Sequence, residues 1–233
     1  MSSIASTSQD QVNIQESSQM TSLSRKLWVY TNFDCNLWCT YCVAESSPKT
    51  ARRALSIETV ERIMDEAELL GFERLFFTGG EPFILEEIYD MLAYSSSRFK
   101  TTVLTNAMLF RGKRWQKLCA IRNENLSIQV SLDGASPEIH DAYRGKGTWA
   151  KTVEGIRLLK SKGFHVCIST TETPANTLHL DELRIFVHDL GIAEEDHFVR
   201  PLAKRGFSME GLDVGVDNLV PEVTISADGV YWH

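Results

Sequence analysis

The alternation of short apolar runs with amphipathic runs limits this 233-residue chain to a small set of folds. Six strand-like runs lie between Leu27 and Arg200, and helical patterns separate them. Alternating strands and helices predict a parallel sheet with right-handed crossovers. Six units are fewer than the eight of a closed barrel. We therefore predict an α/β fold, a partial (β/α)6 TIM-type barrel with parallel strands, and keep a doubly wound sheet as the alternative.

The predicted elements place the candidate functional segments. The predicted strands are Leu27–Thr31, Arg74–Thr78, Lys100–Thr105, Leu126–Leu132, Phe164–Thr170 and His197–Arg200. The predicted helices are Ile57–Leu70, Leu85–Ser96, Lys113–Ala120, Trp149–Leu159 and Leu180–Leu190. Ligands of both candidate folds gather at the carboxyl ends of the strands. Residues that come directly after a strand are therefore the candidates for function.

The chain divides into three segments by composition. Residues 1–24 contain eight serines, four glutamines and no aromatic residue, which predicts a disordered N-terminal tail. Residues 25–210 carry the predicted barrel. Residues 211–233 are interpreted as the truncated start of a C-terminal extension, because Pro221–His233 has two alternating runs around Asp228-Gly229, a common hairpin turn.

Charge and cysteine usage exclude several classes of protein. A net charge of −7 argues against nucleic acid or an acidic membrane as a partner. No run reaches the roughly 18 apolar residues of a membrane span, and the N-terminus lacks a signal core. Five cysteines, three of them clustered, are not a secreted disulfide framework. We expect a cytoplasmic protein, because a reducing compartment keeps thiols available for metal.

Three cysteines within eight residues follow the first predicted strand. Cys35, Cys39 and Cys42 lie at spacings of four and three residues in a polar loop. Thiolates select zinc, copper(I) or iron–sulfur clusters. Three ligands suit a four-iron cluster with one open iron, whereas a closed structural zinc site needs a fourth ligand from elsewhere. The alternative is therefore a non-catalytic iron–sulfur or zinc-binding module.

A glycine turn follows the second predicted strand. Gly79 and Gly80 allow the backbone to approach a ligand closely, and Glu81 adds a carboxylate that could hold an ammonium group. Cys119 and Cys167 are instead interpreted as small core residues within a helix and a strand.

The combination of these motifs resembles the radical S-adenosylmethionine (radical SAM) superfamily, in particular its branches with a C-terminal SPASM/twitch-type extension. The residues that carry the resemblance are Cys35-x3-Cys39-x2-Cys42, with Tyr41 before the last cysteine, and Gly79-Gly80-Glu81-Pro82 about 40 residues later. The resemblance implies that the three cysteines bind a [4Fe–4S] cluster. It also implies that S-adenosylmethionine binds the open iron and is cleaved to a 5′-deoxyadenosyl radical, which abstracts hydrogen from a peptide or small-molecule substrate.

The resemblance also implies further cofactor contacts and partners. Ser131 lies in a Ser-Leu-Asp-Gly segment and Arg144 in a His-Asp-x-x-Arg segment like those of relatives, and both would contact S-adenosylmethionine. Thr105 and Asn106 would face the cofactor, although Ala107 stands where relatives often have glycine, so an easy left-handed turn is not expected there. An electron donor such as flavodoxin or ferredoxin is implied as a partner.

Overall fold

The computed structural model of the protein describes residues 25–215 and 221–232, so the predicted tail lies outside the described residues. The strands are β1 (Lys26–Asn32), β2 (Arg74–Gly79), β3 (Lys100–Thr105), β4 (Leu126–Ser131), β5 (His165–Glu172), β6 (His197–Pro201), β7 (Val223–Ser226) and β8 (Gly229–Trp232). The α-helices are α1 (Ile57–Leu69), α2 (Ile88–Ser96), α3 (Gly112–Ala120), α4 (Pro137–Arg144), α5 (Thr148–Ser161) and α6 (Leu180–Asp189). Short 3₁₀ turns span Pro82–Ile84, Thr177–His179 and Glu194–Asp196.

The strands form one open sheet in the order β6-β5-β4-β3-β2-β1-β7-β8. Strands β1 to β6 are all parallel to their neighbours. The strands at the two ends of this order, β6 and β8, are not paired with each other. The predicted partial barrel of parallel strands is therefore confirmed.

The predicted C-terminal hairpin is also confirmed, and it extends the sheet. Strand β8 pairs antiparallel with β7, and Ser226 and Gly229 close the hairpin. Strand β7 in turn pairs parallel with β1, from Leu27↔Val223 to Val29↔Ile225. The edge of β1 is thereby covered by the hairpin.

Helix α1 shows how the sequence builds the outer layer. The Ser56 hydroxyl caps the helix by accepting a hydrogen bond from the Thr59 amide at 3.2 Å. Its buried residues repeat at helical spacing and join the main apolar core: Val60, Ile63, Met64 and Ala67. Gly71, at φ +76°, supplies the left-handed residue that ends this helix, as the sequence predicts.

Two differences from the predicted elements occur after β2 and β4. The predicted helix Leu85–Ser96 begins three residues later than expected, as α2 at Ile88, and the 3₁₀ turn Pro82–Ile84 precedes it. Helix α4 was not predicted, because it is short and buries only His140 and Arg144, two polar residues. The helix is favoured by Pro137 at its first position and Arg144 in its last turn.

Within the part of the chain that the structure describes, every helix is too short or too polar to cross a bilayer.

Candidate cofactor site

A cavity of about 380 Å³ lies where the carboxyl ends of β1 to β6 meet. It is within the usual size range of small-molecule sites, about 300–1,000 Å³. All eleven residues that the sequence nominates line this cavity: Cys35, Cys39, Tyr41, Cys42, Gly79, Gly80, Glu81, Thr105, Asn106, Ser131 and Arg144. Residues separated by more than 100 positions in the sequence are thus brought to one place by the parallel strands.

The turn after β2 holds the start of the cysteine loop. The Gly80 amide donates to the Asn32 carbonyl at 2.8 Å, and the Glu81 amide donates to the Asp34 carbonyl at 3.1 Å. A Cβ at Gly79 would lie 2.2 Å from the Asn32 oxygen, and one at Gly80 would lie 2.0 Å from the Asp34 oxygen. Both glycines are therefore required by this close approach of two backbones.

Asn32 is a residue of this junction that the sequence reasoning missed. Its side chain is fully buried, and its amide nitrogen donates to the carbonyl oxygens of Asp34 at 2.8 Å and Glu81 at 3.2 Å. The Thr31 hydroxyl donates to its amide oxygen at 2.8 Å. Asn32 therefore ties the end of β1 to the turn after β2. A polar residue at the end of an apolar strand is the one signal that could have indicated it.

The rest of the cysteine loop is fixed from three sides. The Asn106 side chain donates to the Asn36 side chain at 2.8 Å, and the Thr40 amide donates to the Tyr143 carbonyl at 3.0 Å. The Cys42 carbonyl accepts from the Phe207 amide at 3.1 Å. The loop is therefore held by the segments that follow β3, β4 and β6.

The donor set fits an iron–sulfur cluster better than a single zinc ion. Zinc with Zn–S bonds of about 2.3 Å holds its sulfurs about 3.8 Å apart. The three loop thiols are more widely spaced than this. Among the described residues, the group of His, Cys, Asp or Glu side chains with ligand atoms within 4.8 Å of one another lies elsewhere and does not include them. Burial raises the pKa of the Cys35 thiol to about 12, and Glu81 adds to the effect. Either kind of centre would lower this pKa on binding and hold the sulfur as a thiolate, so the preference for a cluster rests on the spacing of the thiols.

Glu81 is buried, and both of its carboxylate oxygens accept hydrogen bonds from the protein. One oxygen accepts from the Thr105 hydroxyl at 2.7 Å and the Phe83 amide at 3.2 Å. The other accepts from the Asn106 amide at 2.8 Å. Glu81 therefore joins the loops after β2 and β3, in addition to lining the cavity.

Glu81 gives the cofactor-free protein a pH-dependent stability. Burial raises the pKa of its carboxyl from 4.5 to about 7, against the opposing effect of its hydrogen bonds. Between these two pKa values the folded state binds more protons than the unfolded state. The contribution of Glu81 to the free energy of unfolding is therefore complete below pH 4.5 and is lost as the pH rises to about 7. We expect the urea midpoint of Glu81→Gln to lack this decline. The control Glu86→Gln alters an exposed side chain and should keep it; a decline that persists in Glu81→Gln would contradict the assignment.

Asp133 organises the side of the cavity formed after β4. Its side chain is 2% exposed and accepts hydrogen bonds from the Tyr41 hydroxyl, from Arg144 Nε at 2.6 Å and from the Thr171 amide at 2.9 Å. The Arg144 guanidinium also lies 5.4 Å from the centre of the Tyr41 ring. Asp133 therefore fixes two of the nominated site residues. Sequence reasoning cited it only as part of a segment, because its partners are distant in sequence.

His140 supports Asp133 from α4. The Asp133 amide donates to His140 Nδ1 at 3.1 Å, which requires a lone pair on that nitrogen. Burial and the nearby Arg144 lower the pKa of His140 to about 4, so the ring is neutral at pH 7. The Asn176 side chain donates to the Asp133 carbonyl at 2.8 Å. The His-Asp-x-x-Arg segment thus contacts the Ser-Leu-Asp-Gly segment, because His140 and Arg144 both bind Asp133.

The turn after β3 corrects one expectation. Ala107 adopts φ +59°, the left-handed conformation that its side chain was expected to disfavour. Helix α5 packs directly on this turn, and the Thr152 hydroxyl donates to the Asn106 carbonyl at 3.0 Å. The close approach is made possible by Gly155, where a Cβ would lie 2.1 Å from the Ala107 oxygen. Packing against α5 therefore outweighs the local cost of the turn.

Gly155→Ala is expected to destabilise the protein by about 1–3 kcal/mol, the usual cost of overpacking. The added methyl group would overlap the Ala107 carbonyl. This clash is expected to outweigh the gain from the higher helix propensity of alanine. The neighbouring change Glu154→Ala, at an exposed position of α5, serves as the control and should stay within about 0.5 kcal/mol. Urea denaturation measures both, and an equal effect of the two changes would contradict the packing argument.

By its fold and its site, the chain is a partial (β/α) barrel with a three-cysteine loop after the first strand. A family model described as the radical SAM superfamily matches residues 29–188, more than half of the chain. The chain therefore belongs to the radical SAM superfamily. The cofactors of this superfamily are a [4Fe–4S] cluster and S-adenosylmethionine.

Two curated relatives show the branch of the superfamily. The subtilosin biosynthesis protein AlbA of Bacillus subtilis is 33% identical over 162 residues, which cover 67% of this chain and 35% of AlbA. An AdoMet-dependent heme synthase of Oleidesulfovibrio alaskensis is 30% identical over 169 residues, 71% of this chain and 42% of that protein. The chain thus spans less than half the length of these relatives. The resemblance to branches with SPASM/twitch-type extensions is confirmed.

A solved structure shows the same fold. SuiB of Streptococcus suis, bound to its precursor peptide SuiA, superposes with a TM-score of 0.70 at 21% identity. The superposition covers 81% of this chain and 43% of SuiB. At this level of identity the likeness supports the fold alone.

Proposed function

We propose that this chain is the part of a peptide-modifying enzyme that binds a [4Fe–4S] cluster and reductively cleaves S-adenosylmethionine. The observation that carries the proposal is the convergence of the three loop thiols and the Gly79–Glu81 turn on one cavity. When bound, the cluster and S-adenosylmethionine supply a 5′-deoxyadenosyl radical that abstracts hydrogen from the substrate.

The roles proposed for the residues follow from their contacts. Cys35, Cys39 and Cys42 hold the cluster, and the backbone of Gly79 and Gly80 gives the ammonium group of S-adenosylmethionine close access to main-chain oxygen. Glu81 provides negative charge beside that group.

On the opposite side of the cavity, Arg144 attracts the carboxylate of S-adenosylmethionine. Its Nε is occupied by Asp133, which sets the direction of its terminal amino groups. Tyr41 offers a ring face to the adenosine, and Ser131 and Thr105 offer hydroxyl groups along the cavity wall. Asn106 fixes the cysteine loop through Asn36.

A peptide is the proposed substrate. AlbA is named for the biosynthesis of the bacteriocin subtilosin, and SuiB has been crystallised with a bound precursor peptide. A small molecule is the second candidate, because the heme synthase is similar over a comparable part of the chain. The position of Arg200 on the cavity wall supports a contact with an anionic part of either substrate.

A small acidic redox protein such as flavodoxin or ferredoxin is the proposed electron donor. The outer face of the cysteine loop exposes Trp38, which is 57% exposed, and Lys49 Nζ lies 5.5 Å from the centre of its ring. An apolar and positively charged surface beside the cluster would favour an acidic partner. Nucleic acid is not proposed as a partner, because the net charge is −7. We place the protein in the cytoplasm, where loop thiols remain reduced.

Anaerobic reconstitution with iron and sulfide tests the proposal. We expect about four irons per chain and the release of 5′-deoxyadenosine from S-adenosylmethionine in the presence of a strong reductant. A colourless protein that binds one zinc ion in the cysteine loop would instead support the alternative of a zinc-binding module. A cluster without 5′-deoxyadenosine, in protein that binds S-adenosylmethionine, would support a non-catalytic iron–sulfur module.

A further inference from the structure

A second group of metal-ligand side chains lies at the base of the barrel, at the opposite ends of the strands from the cofactor site. His165 begins β5, Cys167 follows two residues later, and Asp196 immediately precedes β6. The ligand atoms of these three side chains all lie within 4.8 Å of one another, close enough to bind one metal ion. Within residues 25–215 and 221–232, no other group of three His, Cys, Asp or Glu side chains is this compact. The function proposed above makes no use of it.

The side chains of this group are now hydrogen-bonded to one another, at distances close to those between donors around one ion. His165 Nε2 lies 3.0 Å from Asp196 Oδ2, and Cys167 Sγ lies 3.4 Å from Asp196 Oδ1. Around a tetrahedral zinc ion with bonds of about 2.0–2.3 Å, neighbouring donor atoms are about 3.3–3.7 Å apart. Small shifts of the exposed His165 side chain would open the space for the ion.

The second nitrogen of His165 already has the partner that a metal ligand needs. Its Nδ1 lies 2.9 Å from the Ser127 hydroxyl on the neighbouring strand β4. In the tautomer whose Nδ1–H donates to this hydroxyl, Nε2 carries the lone pair that a metal ion needs; in the other tautomer Nε2–H donates to the Asp196 carboxylate. A bound metal ion selects the first tautomer. The serine therefore orients the ring in the manner of an outer-shell partner.

Cys167 adds a sulfur that has little tendency to ionise alone. Its side chain is buried, and burial together with Asp196 raises the pKa of the thiol to about 12. A bound cation would reverse this effect, because a coordinated thiol gives up its proton. The sequence interpretation of Cys167 as a core residue explains its burial but not its contact with a carboxylate.

A cavity of about 460 Å³ adjoins the group and contains an unpartnered buried amide. Gln129 lines it, is 3% exposed, and has no hydrogen-bond partner for Nε2 among the described residues. Gln129 pairs with Cys167 across β4 and β5, so its amide lies beside the thiol. Arg74, Lys100 and Glu124 also line the cavity, so charges of both signs surround it.

We propose that His165, Cys167 and Asp196 bind one Zn²⁺ ion, with a water or hydroxide in the fourth position that accepts a hydrogen bond from Gln129. Nitrogen, sulfur and oxygen donors together suit a borderline-soft ion of this kind. Binding replaces the thiol proton of Cys167, which passes to the solvent. The ion joins β5 to the start of β6, the strand at one edge of the sheet. The water or hydroxide in the fourth position of the ion lies in the cavity lined by Gln129 and could react there.

Equilibrium dialysis of the full chain against zinc, after the cluster has been loaded, measures the site while the loop thiols are occupied. We expect one zinc ion per chain in addition to iron. Cys167→Ser and His165→Ala should each weaken zinc binding by more than about 100-fold, and Ser127→Ala by about 10-fold, since outer-shell partners contribute 10–100-fold. Cys119→Ser removes a thiol of α3 and serves as the control that keeps full affinity.

Cobalt makes the test independent of the cluster. In a variant with Cys35, Cys39 and Cys42 all changed to serine, Co²⁺ should show a thiolate charge-transfer band that His165→Ala weakens, Cys167→Ser abolishes and Cys119→Ser leaves intact. The folding of each variant is checked by circular dichroism. If Cys167→Ser does not fold, the His165→Ala variant, at an exposed position, decides the outcome. Zinc binding absent from the loaded protein, or unchanged in the folded variants, would overturn the proposal.

Discussion

Replacing any one of Cys35, Cys39 and Cys42 by serine is expected to lower cofactor cleavage by more than about 100-fold, beyond the upper range for loss of an outer-shell partner. All three thiols line the same cavity, and the loop around them is hydrogen-bonded to three other segments. Loss of one sulfur therefore leaves the loop in place but removes one of the three ligands proposed for the cluster. Iron content, Mössbauer spectra and the yield of 5′-deoxyadenosine measure the effect.

The matched control for these changes is Cys119→Ser. Cys119 is a free, partly buried thiol on α3, away from the loop. Its replacement should leave both the cluster and the turnover unchanged. A loop variant that still carried the full complement of iron, with an unaltered spectrum, would show that the cluster is held elsewhere.

Asp133→Asn is expected to reduce the free energy of unfolding by about 3–5 kcal/mol, the cost of breaking a buried ion pair from one side. The Asp133 and Arg144 side chains are 2% and 9% exposed, and the change leaves the guanidinium without its counter-charge. The asparagine amide would also place a donor against one of the existing donors, the Tyr41 hydroxyl or the Thr171 amide. Because Tyr41 and Arg144 line the cavity, the affinity for S-adenosylmethionine should fall as well.

An exposed ion pair provides the control for Asp133. Asp181 and Arg184 pair at 2.6 Å, but their side chains are 94% and 52% exposed. Asp181→Asn should therefore cost no more than about 1 kcal/mol and leave cofactor binding unchanged. Urea denaturation and calorimetric titration with S-adenosylmethionine compare the two variants. Equal losses would mean that burial of the Asp133–Arg144 pair is not what makes it important.

The elements of the fold were predictable where the pattern of the sequence is local. Strand β2 and helix α1 have apolar residues at the spacing of their own period, and Ser56 and Gly71 mark the ends of α1. Helix α4 was missed because its buried residues are polar, so no apolar period reveals it. The pairing of β7 with β1 could not be predicted either, because it depends on which sheet edge is available in three dimensions.

The candidate site was predictable as a set of residues but not as a network. The thiols, the glycine turn and Arg144 could be nominated from short motifs. The function of Asp133 depends on contacts with residues 41, 144 and 171, which no local pattern relates to one another. The left-handed Ala107 was not predicted for a similar reason, since the stabilising contact comes from Gly155 on a later helix.

The unjoined edges of the sheet have a consequence for how the cavity can open. In a fully closed barrel the wall is a continuous ladder of strand hydrogen bonds. Here β6 and β8 are not paired with each other, and at the cofactor end the segment after β6 reaches the cysteine loop through the hydrogen bond from the Phe207 amide to the Cys42 carbonyl. This part of the wall consists of loops rather than strands, so it can open locally at a lower free-energy cost than a strand ladder.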